Sequence, residues 1–397
     1  MAEPTYTYLV TDLTTGKIQG ELKPTADNLS FDDQFNTPGN FTCTVGMDDN
    51  AVPNEFLVSS TTPGRAGVWA YRENKVVWGG IIWSRVYDSS SGMLALTAQT
   101  FDTYAYRRYP KSWLGTGKID YDNARQVWII NYLWHQMQGV NHGNINIGPI
   151  ASDSILQDDV RRNMTVDGND LTKHVSDYIN DLIAFRDGPD YIIEFYEDGY
   201  GLPRARLRAG INLGSYQTTI NIGGTEGVPS LVGDYPDGAV FDYTYTETAT
   251  SSANRWYTNG SMTRGVGKHQ KTSNIMGQST NHWSLDSGGF PMLEGSSSHG
   301  RVKDQDDLNS IAEAHIDRHP IPQVIHAADI IGSHPPEFGT YKIGDWWVIH
   351  IFDRRFPNGV SFVKRVVGWK VTPPDTNAGV ETVSLVWDEM QPGASIG

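Results

Sequence analysis

A single cysteine, Cys43, is all that 397 residues carry. An internal disulfide is therefore excluded, and the strand-like setting Phe41-Thr-Cys-Thr-Val45 makes this thiol a small buried hydrophobe rather than a nucleophile. Charged residues are scarce at 19%, and hydrophobic residues reach only 38%. No run approaches the ~20 apolar residues of a membrane-spanning helix, so no membrane anchor is expected. The segment Met1-Ala-Glu-Pro-Thr5 lacks the basic stretch and apolar run of a secretion signal, which implies folding in a cytoplasm. Positive charge is in deficit: 31 Lys and Arg face 46 Asp and Glu, a formal charge of −15. That is the wrong sign for displacing phosphate counterions, so sequence-specific nucleic-acid binding is not expected.

What the sequence does hold is 41 Gly, 20 Pro and many Ser, Thr and Asn. These residues punctuate strands and break helices, so many short strands are expected. The 12 Trp and 19 Tyr argue for a folded chain and for large protein–protein contacts. At 44.1 kDa the chain exceeds one ordinary core.

The pattern divides the chain into an N-terminal β-barrel over 1–105, an α+β middle domain over 106–238, and a second β-barrel domain with one helix over 239–397. In the first part, strands are expected at Tyr6–Val10, Phe41–Val45, Val68–Tyr71, Lys75–Trp78, Ile81–Tyr87 and Met93–Thr97, separated by Gly and Ser turns. In the middle, Val127, Ile130, Trp134 and Met137 share one face of a helix running from an Asp122 cap to Gln138. A second helix is expected over Leu171–Phe185, then strands at Tyr191–Tyr196 and Arg204–Arg208 around an Asp198-Gly turn. In the last part, strands are expected at Val240–Thr246, Tyr341–Ile343, Trp346–Phe352, Phe362–Val367, Trp369–Thr372 and Thr382–Trp387, and a helix at Gln305–Arg318. Residues 76–97 resemble 363–386: each has a β-branched strand reaching a glycine (Gly80, Gly368), a turn and an alternating strand. Two copies of one barrel would leave such a trace.

Chemistry is thin. His315 and His319 stand four apart on a helix, a zinc-ligand spacing, but no glutamate follows and no third ligand lies at a telling distance. The acids Asp304-Gln-Asp-Asp307 lack the glycine and distal glutamate of a calcium loop and suit a helix start instead. Glycoside hydrolysis needs two facing carboxylates, and no pair is nominated. The run Ile222-Gly-Gly-Thr-Glu-Gly227 lacks the Lys-Ser/Thr of a phosphate loop. Arg107-Arg108 and Arg161-Arg162 are isolated pairs, not a nucleic-acid footprint. No catalytic residue, metal site or cofactor is expected, and the protein is read as a non-enzyme.

A family resemblance enters through the order of short motifs. They are the Thr14-Thr-Gly16 turn, Asn36-Thr-Pro-Gly-Asn-Phe-Thr42, Val77-Trp-Gly-Gly-Ile81, Phe101-Asp-Thr-Tyr-Ala-Tyr-Arg-Arg108, Asn254-Arg-Trp-Tyr-Thr-Asn-Gly260 and Tyr341-Lys-Ile-Gly-Asp345. In this order the chain resembles the tail-tip (baseplate) hub, or minor tail, proteins of long non-contractile-tailed bacteriophages. It is similar in layout to the baseplate hub of contractile-tailed phages. The resemblance implies a mainly β fold with an α+β insertion, built as tandem antiparallel β-barrels. It implies a homotrimer at the virion's tail tip, in which two barrels per chain give a ring of six around the DNA channel. The implied partners are a distal tail protein ring, a tape measure protein, a central fibre or spike and other minor tail proteins. The alternatives are a carbohydrate- or receptor-binding virion protein and a cell-wall glycoside hydrolase.

Overall fold

Strand formation follows the alternation written in the sequence. In Asn40–Gly46 the apolar Phe41, Cys43 and Val45 are buried while Thr42 and Thr44 face outward, the period-two pattern of a half-covered sheet. The computed structural model describes residues 3–47, 54–149, 160–211, 213–223, 240–264, 271–300, 302, 304–374 and 379–389. The N-terminal part holds β1 (Tyr6–Asp12), β2 (Ile18–Leu22), β3 (Pro24–Gln34), β4 (Asn40–Gly46), α1 (Asn54–Ser60), β5 (Ala66–Arg72), β6 (Lys75–Asp88) and β7 (Met93–Thr100). A 3-10 turn at Phe101–Arg107 leads into α2 (Lys111–Leu114), β8 (Lys118–Arg125), α3 (Gln126–Gly139), β9 (Ile147–Pro149), β10 (Arg161–Asp167), α4 (Val175–Ile183), β11 (Asp190–Glu197) and β12 (Pro203–Gly210). The rest comprises β13 (Tyr216–Gly223), β14 (Val240–Thr248), β15 (Arg255–Arg264), β16 (Lys271–Thr280), α5 (His282–Asp286), β17 (Glu294–Ser298), α6 (Gln305–Arg318), β18 (Gln323–Ile331), β19 (Trp346–Phe352), β20 (Val360–Thr372) and β21 (Thr382–Glu389).

The fold is mainly antiparallel β, and its centre is one 13-stranded sheet. Within that sheet the same arrangement occurs twice. The first module runs β3-β4-β7-β6-β5-β1, and the second runs β14-β18-β21-β20-β19-β13. Taken in chain order, each strand of the first has its counterpart at the same place in the second. Four of the five neighbour pairs in each run are antiparallel in both modules; the exception is β13, which lies parallel to β19 where β1 lies antiparallel to β5. The resembling segments 76–97 and 363–386 prove to be the hairpins β6–β7 and β20–β21, each with a register shift near its glycine (Ile82/Ser84 and Val366/Gly368).

The two expected barrels are not separate closed cylinders. β3 of the first module pairs with β20 of the second, Phe31 opposite Val371 and Gln34 opposite Gly368. Among the described residues no barrel closes on itself, and one hydrophobic core runs through both modules, from Phe31, Phe41 and Trp78 to Trp347, Trp369 and Trp387. β20 makes this possible by its length: its first half pairs with β19 and its second half with β3.

Between the modules, α3 packs on the small sheet β11-β12-β9 and α4 packs on α3, over a second core containing Val127, Ile130, Trp134, Tyr178 and Leu207. Asp122 does not cap α3. It lies in β8, which continues to Arg125 because it pairs with β10 (Ala124 opposite Arg162), so tertiary pairing delays the helix to Gln126. α4 begins at Val175, not Leu171. Asp170 accepts the Thr172 backbone N–H in a local turn, His174 and Asp177 form a capping box, and Leu171 is left exposed. β13, inside the segment expected to be the middle domain, belongs to the large sheet. Residues Tyr341–Ile343 form no strand; they lead into a tight turn.

That turn is held by backbone geometry. Gly344 has φ +103 and Gly214 φ +117, and a Cβ on Gly344 would lie 2.2 Å from the Leu213 carbonyl oxygen. Asp345 binds the backbone N–H groups of Ser215 (2.9 Å) and Lys342 (2.7 Å), fixing where β13 meets β19. Gly344→Ala is expected to cost about 2 kcal/mol through strain and overpacking, read as a lower urea midpoint with an unchanged slope.

Candidate functional site

The singled-out polar residues turn out to have structural settings. His315 and His319 stack on Trp256, with ring centroids 4.2 and 5.2 Å away. Burial, reinforced by the neighbouring His319 and Arg318, pushes His315 down to about 4, so it is neutral at pH 7. Among the described residues no group of three or more His, Cys, Asp or Glu side chains could hold a metal ion. Asp304 caps α6, accepting the backbone N–H of Asp306 (2.8 Å) and Asp307 (3.4 Å). Cys43 is buried, and that burial pushes its thiol up to about 12, far from a reactive thiolate. Arg107 lies over Trp83, Arg108 donates to the Tyr104 hydroxyl (2.6 Å), Arg161 donates to the Asn123 carbonyl (2.9 Å), and Arg162 pairs with Asp187. Residues 224–227 of the glycine-rich run lie outside the described residues.

One cleft, of about 640 Å³, gathers aspartates: Asp120, Asp122, Asp167, Asp170, Asp181, Asp304 and Asp307 line it. Most of these carboxylates are occupied. Asp120 accepts from Thr165 (2.6 Å), Asp167 pairs with Lys118 (3.0 Å), Asp181 pairs with Lys173, and Asp170 and Asp304 serve a turn and a helix cap.

A second polar construction lies where the modules meet. The Arg72 guanidinium, at the end of β5, binds Glu381 twice (2.8 and 2.9 Å) just before β21. The Glu381 side chain is wholly buried, and Tyr6 donates its hydroxyl to the same carboxylate. On the other side, Arg365 of β20 pairs with Asp190 (2.6 Å) and donates to the carbonyls of Leu213 (2.7 Å) and Gly344 (3.3 Å). Asp190 also accepts from Asn36 (2.8 Å), so one carboxylate joins both modules to the middle sheet. Burying these charges is tolerable only because each is paired and hydrogen-bonded. Sequence reading found neither pair: Arg72 and Glu381 are 309 positions apart, and nothing local marks them as partners.

Outside the junction, large apolar side chains remain in water. Val58, Val86 and Tyr87 are exposed on α1 and the far end of β6, where Arg85 donates to the Val58 carbonyl. Met276 is exposed on β16, Trp283 is exposed on α5, and Tyr200 tips the β11–β12 hairpin. No helix among the described residues is long and apolar enough to cross a membrane.

No protein-family model matches the sequence, and no curated protein matches it. Solved structures do. A tail protein from Neisseria meningitidis aligns over 97% of this chain and 96% of its own, with a TM-score of 0.52 at 10% identity. The 43 kDa tail protein of prophage MuSo2 from Shewanella oneidensis aligns over 97% and 98%, with the same TM-score and identity. At that identity the likeness is one of backbone arrangement, and it runs through both modules and the insertion between them. The chain thus has the fold of phage tail proteins, built here as two like-ordered β modules joined in one sheet.

Proposed function

We propose that the protein is the hub of a phage tail tip: a non-enzymatic homotrimer that links the tail tube to a distal fibre or spike and surrounds the channel for DNA ejection. The observation that carries this reading is the repeated strand order. Two like modules per chain, taken three times, make a ring of six that meets a sixfold tube on one side and a threefold fibre on the other. The division implied is a first module over 1–105, a middle domain over 106–238 whose last described strand, β13, completes the second module's sheet, and a second module over 239–397. In the virion it would contact a distal tail protein ring, a tape measure protein and other minor tail proteins through the exposed apolar faces. The net charge of −15 suits a channel wall that repels DNA rather than holding it.

Light scattering on the purified chain tests the oligomer. The expected result is a particle of three times the 44.1 kDa chain mass, burying roughly 2,000 Å² or more per interface. A monomer that persists at high micromolar concentration and with the neighbouring tail proteins added would overturn the trimer.

A further inference from the structure

A cavity of about 350 Å³ lies where the first module, the middle sheet and the second module meet. Its walls are apolar, formed by Val77 of β6, Ile192 and Phe195 of β11, and Phe338 and Trp369 of the second module. Its rim is charged. Arg208 and Lys342 stand at the mouth beside Glu194, 2.8 and 3.6 Å from the same carboxylate oxygen, and Arg206 holds the other oxygen at 2.8 Å. Three cations on one carboxylate leave positive charge in excess at this end of the mouth, and Lys75 also lies on the rim. Two further acids line the rim away from this cluster: Glu73, which accepts the Thr5 backbone N–H (2.6 Å), and Glu337, which lies near Arg72. The Tyr341 hydroxyl, which has no hydrogen-bond partner among the described residues, is packed against protein and does not open into the cavity. Asp33 also lines the cavity, and burial raises its carboxyl well above the usual range.

We propose that this cavity binds a small amphipathic anion, an apolar body in the Val77–Ile192–Trp369 chamber with one carboxylate or sulfonate head against Arg208 and Lys342. The volume is that of a small-ligand pocket, and a few convergent polar groups on an apolar lining are what such sites use for orientation. The inference stands apart from the hub reading, since it concerns a cavity enclosed within one chain. An occupant there touches all three parts of the chain and favours their present arrangement over any other.

Isothermal titration calorimetry with 2-naphthoate as the probe tests it, with neutral 2-naphthalenemethanol as the control. Saturable one-to-one binding of naphthoate is expected, with the alcohol about tenfold weaker or more because it lacks the charge-assisted hydrogen bonds. Arg208→Gln and Lys342→Gln should each weaken naphthoate about tenfold while leaving the alcohol unchanged, and Ile192→Trp, which fills the chamber, should abolish both. Circular dichroism confirms folding of each variant, and the two charge variants suffice if the tryptophan variant unfolds. Absence of saturable binding up to millimolar probe, or binding that ignores the charge variants, would overturn the proposal.

Discussion

Arg72→Met is expected to lower the unfolding free energy by about 3–5 kcal/mol, because it strands the buried Glu381 carboxylate without its partner. The expectation rests on burial: the Glu381 side chain is 0% exposed and that of Arg72 10%. Removing both charges should matter far less. Arg72→Met with Glu381→Leu is expected to recover most of the loss, short of the Tyr6 hydroxyl, which then lacks its acceptor. Because the modules also share the β3–β20 pairing and one hydrophobic core, the urea transition should stay single and shift to a lower midpoint. A single variant that stays within 1 kcal/mol of the parent would show that the junction does not depend on this bond.

The second large effect is a dependence on pH. Asp102 lies in the first turn of the 3-10 segment after β7 and is buried; burial pushes its carboxyl up to about 6, against hydrogen bonds from Thr100 and Tyr191 that pull it down. An aspartate in the unfolded chain titrates near ~3.9. Between those two values the folded state holds more protons than the unfolded one, so stability falls as pH rises from about 4 to about 6 and levels off above. The contribution is on the order of 3 kcal/mol at most. Asp102→Asn should remove it. The difference in unfolding free energy between parent and variant is expected to change across pH 4–6.5 and to be constant above. Asp33, raised by the same cause, keeps a slope of the same sign in the variant. A difference flat from pH 4 to 8 would contradict the assignment.

Legibility in the sequence followed the range of the forces involved. α6 matched its expected limits at Gln305–Arg318 because its cap, Asp304, and its apolar positions Leu308, Ile311 and Ala312 are all local. The β11–β12 hairpin was readable for the same reason: Asp198 accepts the backbone N–H of Tyr200 and Leu202 in the turn. Long-range pairing decided the rest. β8 and β10, on which α3 depends for its start, pair with no other strand among the described residues and alternate weakly. β15 and β16 are rich in Asn, Ser, Thr and Gly and carry almost no strand signal, yet they form because Gly260 and Gly277 let α6 lie directly on them. The repeat was detectable only through its best-preserved hairpin, since β13 and β1 share a place in the sheet but not a direction. The junction was invisible, because pairs such as Arg72–Glu381 and Arg365–Asp190 depend on a fold that must exist first.

The central claim is that two like-ordered β modules in each chain are completed by neighbouring copies about a threefold axis. Cryo-electron microscopy of the purified assembly tests it most directly. The account predicts a ring of six similar β modules enclosing a channel, with the apolar patch around Val86 and Tyr87 covered by another subunit. A particle without threefold symmetry, or a ring in which the two modules of a chain occupy dissimilar positions and that patch faces solvent, would contradict it.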